Sequence, residues 1–251
     1  MAFPLLLGTA SLLAGAIAAV VGFGIGSILT PVFAVDVGMK LAVAAAAIPH
    51  CVGSAQRFWI LRRHVDRRVL LNFGVASALS GLAGALLHAR ASSRALTVCF
   101  GALLILASAS EFTGWMSRVR WGKRAAWIAG AVSGLSGGLV GNQGGIRSAA
   151  MLGFKVPKES FVATATAIAL LVDVARVPVY LATEGRELGS IAPLLWLSVA
   201  CTVLGTAFGA RVLRRVPELA FRRVVAVLLM ALGAYLLIRA VLPTPGSGLP
   251  G

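Results

Sequence analysis

The stretch Ser133-Gly134-Leu135-Ser136-Gly137-Gly138-Leu139-Val140-Gly141-Asn142-Gln143-Gly144-Gly145-Ile146-Arg147-Ser148 breaks an otherwise apolar segment with six glycines, an amide pair and an arginine. A counterpart lies in the first half, where Val20-Val21-Gly22-Phe23-Gly24-Ile25-Gly26-Ser27-Ile28-Leu29-Thr30-Pro31 breaks a second apolar segment at the matching place. Apolar segments of this length belong in a bilayer, where every backbone N–H and C=O needs a partner within the protein. An irregular stretch is tolerable at that depth only where protein buries it or where it lines a cavity. Paired glycine breaks in matched halves point to a transporter that binds its substrate between two repeats.

Composition agrees with a membrane setting. Of 251 residues, 59% are hydrophobic and 12% charged, and the mean hydropathy is +0.92, more apolar than a soluble core of this size requires. About eight apolar runs reach the roughly 18 residues that span a bilayer as a helix. The formal charge of +15 does not indicate nucleic acid, because the 23 basic residues fall in short clusters between apolar runs; such clusters are what the positive-inside rule produces. Cys51, Cys99 and Cys201 are widely spaced in apolar segments, which indicates neither a disulfide framework nor a metal motif. Met1-Ala2-Phe3-Pro4 lacks the positive start of a signal peptide, so the first apolar run reads as retained structure.

In chain order, a broken segment over 5–37 is followed by spans at 40–61, 69–89 and 95–113, with Trp115 and Trp121 placed for an interfacial belt. A basic linker over 114–124 follows, then a second broken segment over 125–154 and spans at 160–183, 190–210 and 221–242. The tail, 243–251, reads as disordered. The expected domains are therefore a first half-repeat over 1–113, a cytoplasmic linker and a second half-repeat over 125–242.

The halves superpose in sequence. Ala14-Gly15-Ala16-Ile17 matches Ala129-Gly130-Ala131-Val132, Ser54-Ala55-Gln56-Arg57 lies over Asp173-Val174-Ala175-Arg176, and Gly84-Ala85 with Arg90 lies over Gly209-Ala210 with Arg215. Loop 62–68 is rich in arginine while its partner, Glu184-Gly185-Arg186-Glu187, is net acidic; loop 211–223 is basic, but only Arg90 and Arg94 mark its partner. Corresponding loops prefer opposite sides, which is the pattern of an inverted repeat. The fold expected is all-α and membrane-integral, with two inverted half-repeats, each a glycine-broken, re-entrant helix segment followed by three transmembrane helices. Loops 62–68, 118–124 and 211–223 are expected in the cytoplasm, with 184–188 and both termini outside.

Three arginines fall inside apolar segments, and a charge at mid-membrane usually faces a polar cavity or a partner. Arg147 follows Gly144-Gly145, where a second half-helix begins and its N–H groups point into the break; a helix N-terminus with a guanidinium makes an anion site. The alternative is that Arg147 anchors the hairpin to a carbonyl or to Asp173. Arg176 lies three residues after Asp173, so the two share a helix face and form either a structural ion pair or a substrate contact. Pro178 removes one helix hydrogen bond nearby. Arg57 either serves the function or, close to Arg62, snorkels to the surface. Asn142 and Gln143 either donate to an oxyanion or hold the turn. Ser27 and Thr30 are the side-chain donors of the first break, ahead of Pro31, which suits the first turn of a half-helix. His50 either titrates near physiological pH or packs.

Enzymatic constellations are missing. The chain has no paired-carboxylate site, no nucleophile beside a base, no Walker lysine motif and no zinc spacing, and Gly22-Phe23-Gly24-Ile25-Gly26 follows no strand as a dinucleotide site would require. No cofactor, metal or nucleic acid is expected.

At these residues the chain resembles the TauE/SafE family of sulfite and sulfonate exporters, the toluene-sulfonate uptake permease family, over about residues 8–242. Gly22-Phe23-Gly24-Ile25-Gly26-Ser27-Ile28-Leu29-Thr30-Pro31-Val32 resembles the first family motif, with Ser27 where a further glycine is common. Gly144-Gly145 and Ala163-Thr164-Ala165-Thr166-Ala167 resemble the second, although the proline expected after it is absent and Asn142, Gln143 and Arg147 are unusual there. The resemblance implies a cytoplasmic-membrane, multi-pass, secondary-active permease for small sulfur-containing or carboxylate anions, coupled to protons or sodium and able to form homo-oligomers. The expected substrate contacts are Gly22, Gly24, Gly26, Ser27, Thr30, Gly141, Asn142, Gln143, Gly144, Gly145, Arg147, Thr166 and Arg176, with Asp173, His50 and Arg57 as coupling or structural ion-pair residues. The competing readings are a passive anion channel and a membrane subunit of a larger complex.

Overall fold

The computed structural model describes residues 2–114, 123–152, 154 and 157–213, and in the last segment 226–227, 230–231, 233–238 and 240. The interfacial Trp115 and Trp121, most of loops 118–124 and 211–223, half of the span expected at 221–242 and the tail 243–251 lie outside the described residues.

The described residues are almost entirely helical and contain no strand. The first half comprises α1 (Ala2–Val21), α2 (Ile25–Val37), α3 (Met39–Leu61), α4 (Arg67–Arg90, with a wider turn at Leu70–Gly74) and α5 (Ser93–Thr113). The second comprises α6 (Lys123–Val140), α7 (Gly144–Leu152), α8 (Lys158–Ser190) and α9 (Ala192–Leu213). By length and composition, four of the described stretches are able to cross a membrane: Ala2–Val20, Arg67–Arg90, Ser93–Ser110 and Glu159–Ser190.

The first helix of each half packs most extensively on the fourth helix of the other, α1 on α9 and α6 on α4. Glycines allow both contacts. Gly15 of α1 lies against the Thr202 carbonyl while Gly205 of α9 lies against that of Leu12, and Gly134 and Gly138 of α6 lie against the carbonyls of Ser77 and Gly81 in α4. A methyl group at any of these positions would clash with backbone. Close backbone approach is how helices associate where lipid is as apolar as leucine and burial gives no driving force.

Between these pairs run α3 and α8, antiparallel and in contact. Lys40 at the start of α3 meets Glu184 near the end of α8 at 3.6 Å. His50 meets Asp173 at 2.6 Å. His64, just past α3, lies 3.8 Å from Glu159 at the start of α8. The 23 residues of α3 rise about 34 Å, close to the roughly 30 Å hydrocarbon core, so the His50–Asp173 pair sits well inside the apolar layer.

Several local expectations are corrected. Glu184-Gly185-Arg186-Glu187 is not a loop: α8 continues through it for 33 residues, about 50 Å, with open space beside Gly185 and Gly189. Pro178 lies inside α8 without breaking it. Pro31 is not in the first turn of its half-helix, because α2 already begins at Ile25. Arg57 does not snorkel outward; it is 3% exposed and donates to Ser54 Oγ at 3.1 Å.

Candidate functional site

The two breaks touch. Gly22 and Gly24 turn the chain from α1 into α2 with φ of 85° and 127°, and Gly141 turns it out of α6 with φ of 76°, a region that side chains with a Cβ rarely enter. Ser27 Oγ donates to Asn142 Oδ1 at 3.1 Å. Gly26 lies against the Gly141 carbonyl, and Phe23 packs over Gly144. Residues 27 and 142 differ by 115, the same offset that relates Ala14 to Ala129 in the sequence comparison.

Each break exposes a helix N-terminus. The Ile28 N–H is the one that bonds back to Gly24, and the Arg147 N–H bonds back to Gln143, both at about one helical turn. The amides of Ile25, Gly26 and Ser27, and those of Gly144, Gly145 and Ile146, therefore open α2 and α7 without intrahelical partners and point into the breaks. Two helix N-termini thus bring partial positive charge to one place.

The helix C-termini on the other side of each break are closed by side chains. Arg147 Nη2 donates to the Gly22 carbonyl at 3.3 Å. Arg176 Nη1 donates to the Gly137 carbonyl and the Tyr180 hydroxyl to that of Gly138, while the His88 ring donates from Nδ1 to Leu139 at 2.9 Å. Tyr180 and His88 were not foreseen from the sequence. The signal for them was available: a helix ending inside a membrane leaves carbonyls that must find donors, and Tyr180 lies one turn beyond Arg176.

The charged side chains converge on the same region. Asp173, in α8, receives His50 on Oδ2 at 2.6 Å and Arg176 on Oδ1, at 3.0 Å from Nε and 2.8 Å from Nη2. Arg57 and Arg176, which the sequence comparison matches, are each bonded to the residue three before it. That residue is Asp173 for Arg176 and only Ser54 for Arg57. Arg57, Arg147 and Arg176 are 3%, 1% and 1% exposed and Asp173 is fully buried, so among the described residues three buried guanidiniums stand against one buried carboxylate.

Several buried polar atoms there, most of them donors, have no partner. Arg57 Nε and Nη1, Arg147 Nε and Nη1, both amide atoms of Gln143 and the hydroxyls of Thr30 and Thr166 are buried without a hydrogen bond. A Cβ on Gly53 would lie 3.1 Å from Ile25, the first residue of α2, and 3.6 Å from Arg57 Nη1, which puts that guanidinium beside the first break. Thr30 Oγ1 and Arg176 Nη1 both border Gly141. Thr166 follows Val162, which packs on Gly22, by one helical turn on the same face of α8. The expected site residues are therefore brought together around the touching breaks, apart from Gly145, which is placed only within the first turn of α7. Among the described residues no group of three or more metal-ligating side chains forms, and the three cysteines are free. A buried excess of guanidinium, amide donors and helix N-termini is an environment that favours an anion.

No curated protein and no solved structure matches the chain. The family model for the sulfite exporter TauE/SafE matches residues 7–236. The chain, a transmembrane transport protein, belongs to the TauE/SafE family of sulfite exporters.

Proposed function

We propose that this protein is a secondary-active permease of the cytoplasmic membrane that moves a small sulfur-containing or carboxylate anion, and that the anion binds where the two helix breaks meet. The observation that carries this reading is the buried charge imbalance: Arg147 and Arg57 keep unpartnered guanidinium nitrogens beside two helix N-termini, and Asp173 is already taken by Arg176 and His50. An unpaired charge in a low-dielectric interior is costly, and a bound anion offsets that cost.

The antiparallel course of α3 and α8, equivalent helices of the two halves, supports an inverted repeat, as does the reciprocal packing of α1 on α9 and α6 on α4. In that reading residues 1–113 and 125–242 are the half-repeats, each broken segment is re-entrant, and the breaks meet near the bilayer midplane.

The test is thermal stabilisation of purified protein by sulfite, methanesulfonate, thiosulfate and acetate, followed by counterflow of the stabilising anion in proteoliposomes. A ligand that binds only the folded protein at a hundred times its Kd adds about 2.7 kcal/mol of apparent stability. Saturable counterflow of that anion is expected. Conductance that never saturates would favour a channel instead.

A further inference from the structure

Resting on the anion reading above, the geometry points to the coupling ion as a proton and to its carrier as His50. His50 lies within the apolar layer on α3 and is bonded through Nδ1 to Asp173 at 2.6 Å. Asp173 also accepts Arg176 in two contacts, so it is a carboxylate and Nδ1 carries the hydrogen of that bond. The proton site left on the ring is Nε2. The neighbouring ring carbon, Cδ2, is the His50 atom closest to Gly26, 3.9 Å from where its Cβ would be, so this edge of the ring faces the first break.

The charges that act on His50 are those of Asp173 and Arg176 on α8 and Arg57 on its own helix; Arg147 on α7 lies within electrostatic reach of Asp173. Cys51 is the adjacent thiol on α3, and the buried polar side chains of α2 and α9, Ser27, Thr30, Ser198, Thr202 and Thr206, do not titrate. An empty site already carries an excess of buried guanidinium, which opposes a further positive charge on His50. An anion at the breaks removes that opposition, and a proton on Nε2 in turn adds a cationic donor for the anion. Each therefore raises the affinity of the other by the same factor, which is what symport requires. The proton comes from water on the loading side, resides on Nε2 during the crossing and returns to water on the other side with the anion.

Sodium fits less well. Transporters that bind sodium at broken helices use unwound carbonyls and half-helix C-termini. Here the carbonyls of Gly22, Gly137, Gly138 and Leu139 are occupied by Arg147, Arg176, Tyr180 and His88, and both oxygens of Asp173 are occupied as well.

The experiment uses full-length protein in proteoliposomes, with sulfite and methanesulfonate as probes and protein-free liposomes subtracted; methanesulfonate does not itself carry protons near neutrality. One proton per singly charged anion predicts methanesulfonate accumulation approaching about tenfold per unit of imposed pH gradient, and none from an imposed sodium gradient. His50→Gln, which keeps an N–H for Asp173, should lose accumulation driven by the pH gradient, and the counterflow it retains should be weaker than wild type and independent of pH. Accumulation by His50→Gln under a pH gradient, or by the wild type under sodium alone, would overturn the proposal. If the variant fails to exchange, calorimetry on the wild type in buffers of different ionisation enthalpy decides: binding should take up a proton, and binding without uptake across pH 6 to 8 overturns the proposal. A wild type that exchanges neither probe would instead overturn the anion reading.

Discussion

Arg147 in α7 donates from Nη2 to the carbonyl of Gly22, 3.3 Å away, and so ties the second helix break to the end of the helix that leads into the first. One nitrogen of the guanidinium closes an orphan carbonyl while Nε and Nη1 remain without partners. The anchoring and anion-binding roles that the sequence left as alternatives are therefore compatible, because different nitrogens of one side chain serve them.

Contact between the breaks depends on Gly26. Its Cβ, if present, would run into the Gly141 carbonyl, and overpacking of this kind costs about 1–3 kcal/mol. Gly26→Ala should lower the melting temperature and weaken anion binding together. Gly185→Ala, in an open helical position with nothing within 4 Å, should leave anion binding unchanged and not lower the melting temperature. Equal binding in the two variants, measured by ligand-induced thermal shift, would show that the breaks need not touch.

Asp173 and Arg176 compensate each other's burial. Removing one partner of a buried pair costs about 3–5 kcal/mol, because the other charge is left uncompensated. Asp173→Asn alone should therefore be less stable than Asp173→Asn with Arg176→Gln. The double variant still leaves the Gly137 carbonyl without its Arg176 donor, so it should remain below wild type. A double variant no better than the worse single variant, by melting in detergent, would contradict the pairing.

Topology follows from the two ends of the α3–α8 ladder. On a background lacking Cys51, Cys99 and Cys201, a cysteine at Arg63 should be reached by an impermeant thiol reagent from the cytoplasm, and one at Arg186 from outside. Labelling of both from one side would contradict the inverted arrangement.

How much of this was legible in the sequence depended on whether the signal was local. The breaks showed because glycine clusters are rare inside apolar segments, and Asp173 with Arg176 showed because three residues is a helical spacing. The His50–Asp173 bond was not visible, since it joins helices across 123 residues and no local pattern announces such a pair. Arg57 was left open because proximity to Arg62 offered a route to the surface, whereas packing against Gly53 and Ser54 holds it inside. Glu184-Gly185-Arg186-Glu187 has the composition of a loop, but nothing in it ends a helix, and α8 continues. The match of Ser54 to Asp173 already held the asymmetry that leaves Arg57 without a carboxylate.

The central claim is that the unpartnered nitrogens of Arg147 hold the anion, and the most direct measurement is anion affinity by calorimetry on monodisperse wild-type, Arg147→Lys and Arg147→Gln protein, using whichever of sulfite and methanesulfonate stabilises the wild type. A lost charge-assisted contact is worth about 1.5–3 kcal/mol, roughly tenfold to a hundredfold in Kd. Lysine keeps the charge but not the planar fork. The account predicts a Kd raised by that factor in Arg147→Gln and an intermediate value in Arg147→Lys; unchanged affinity in well-folded Arg147→Gln would contradict it and leave Arg147 only the carbonyl of Gly22.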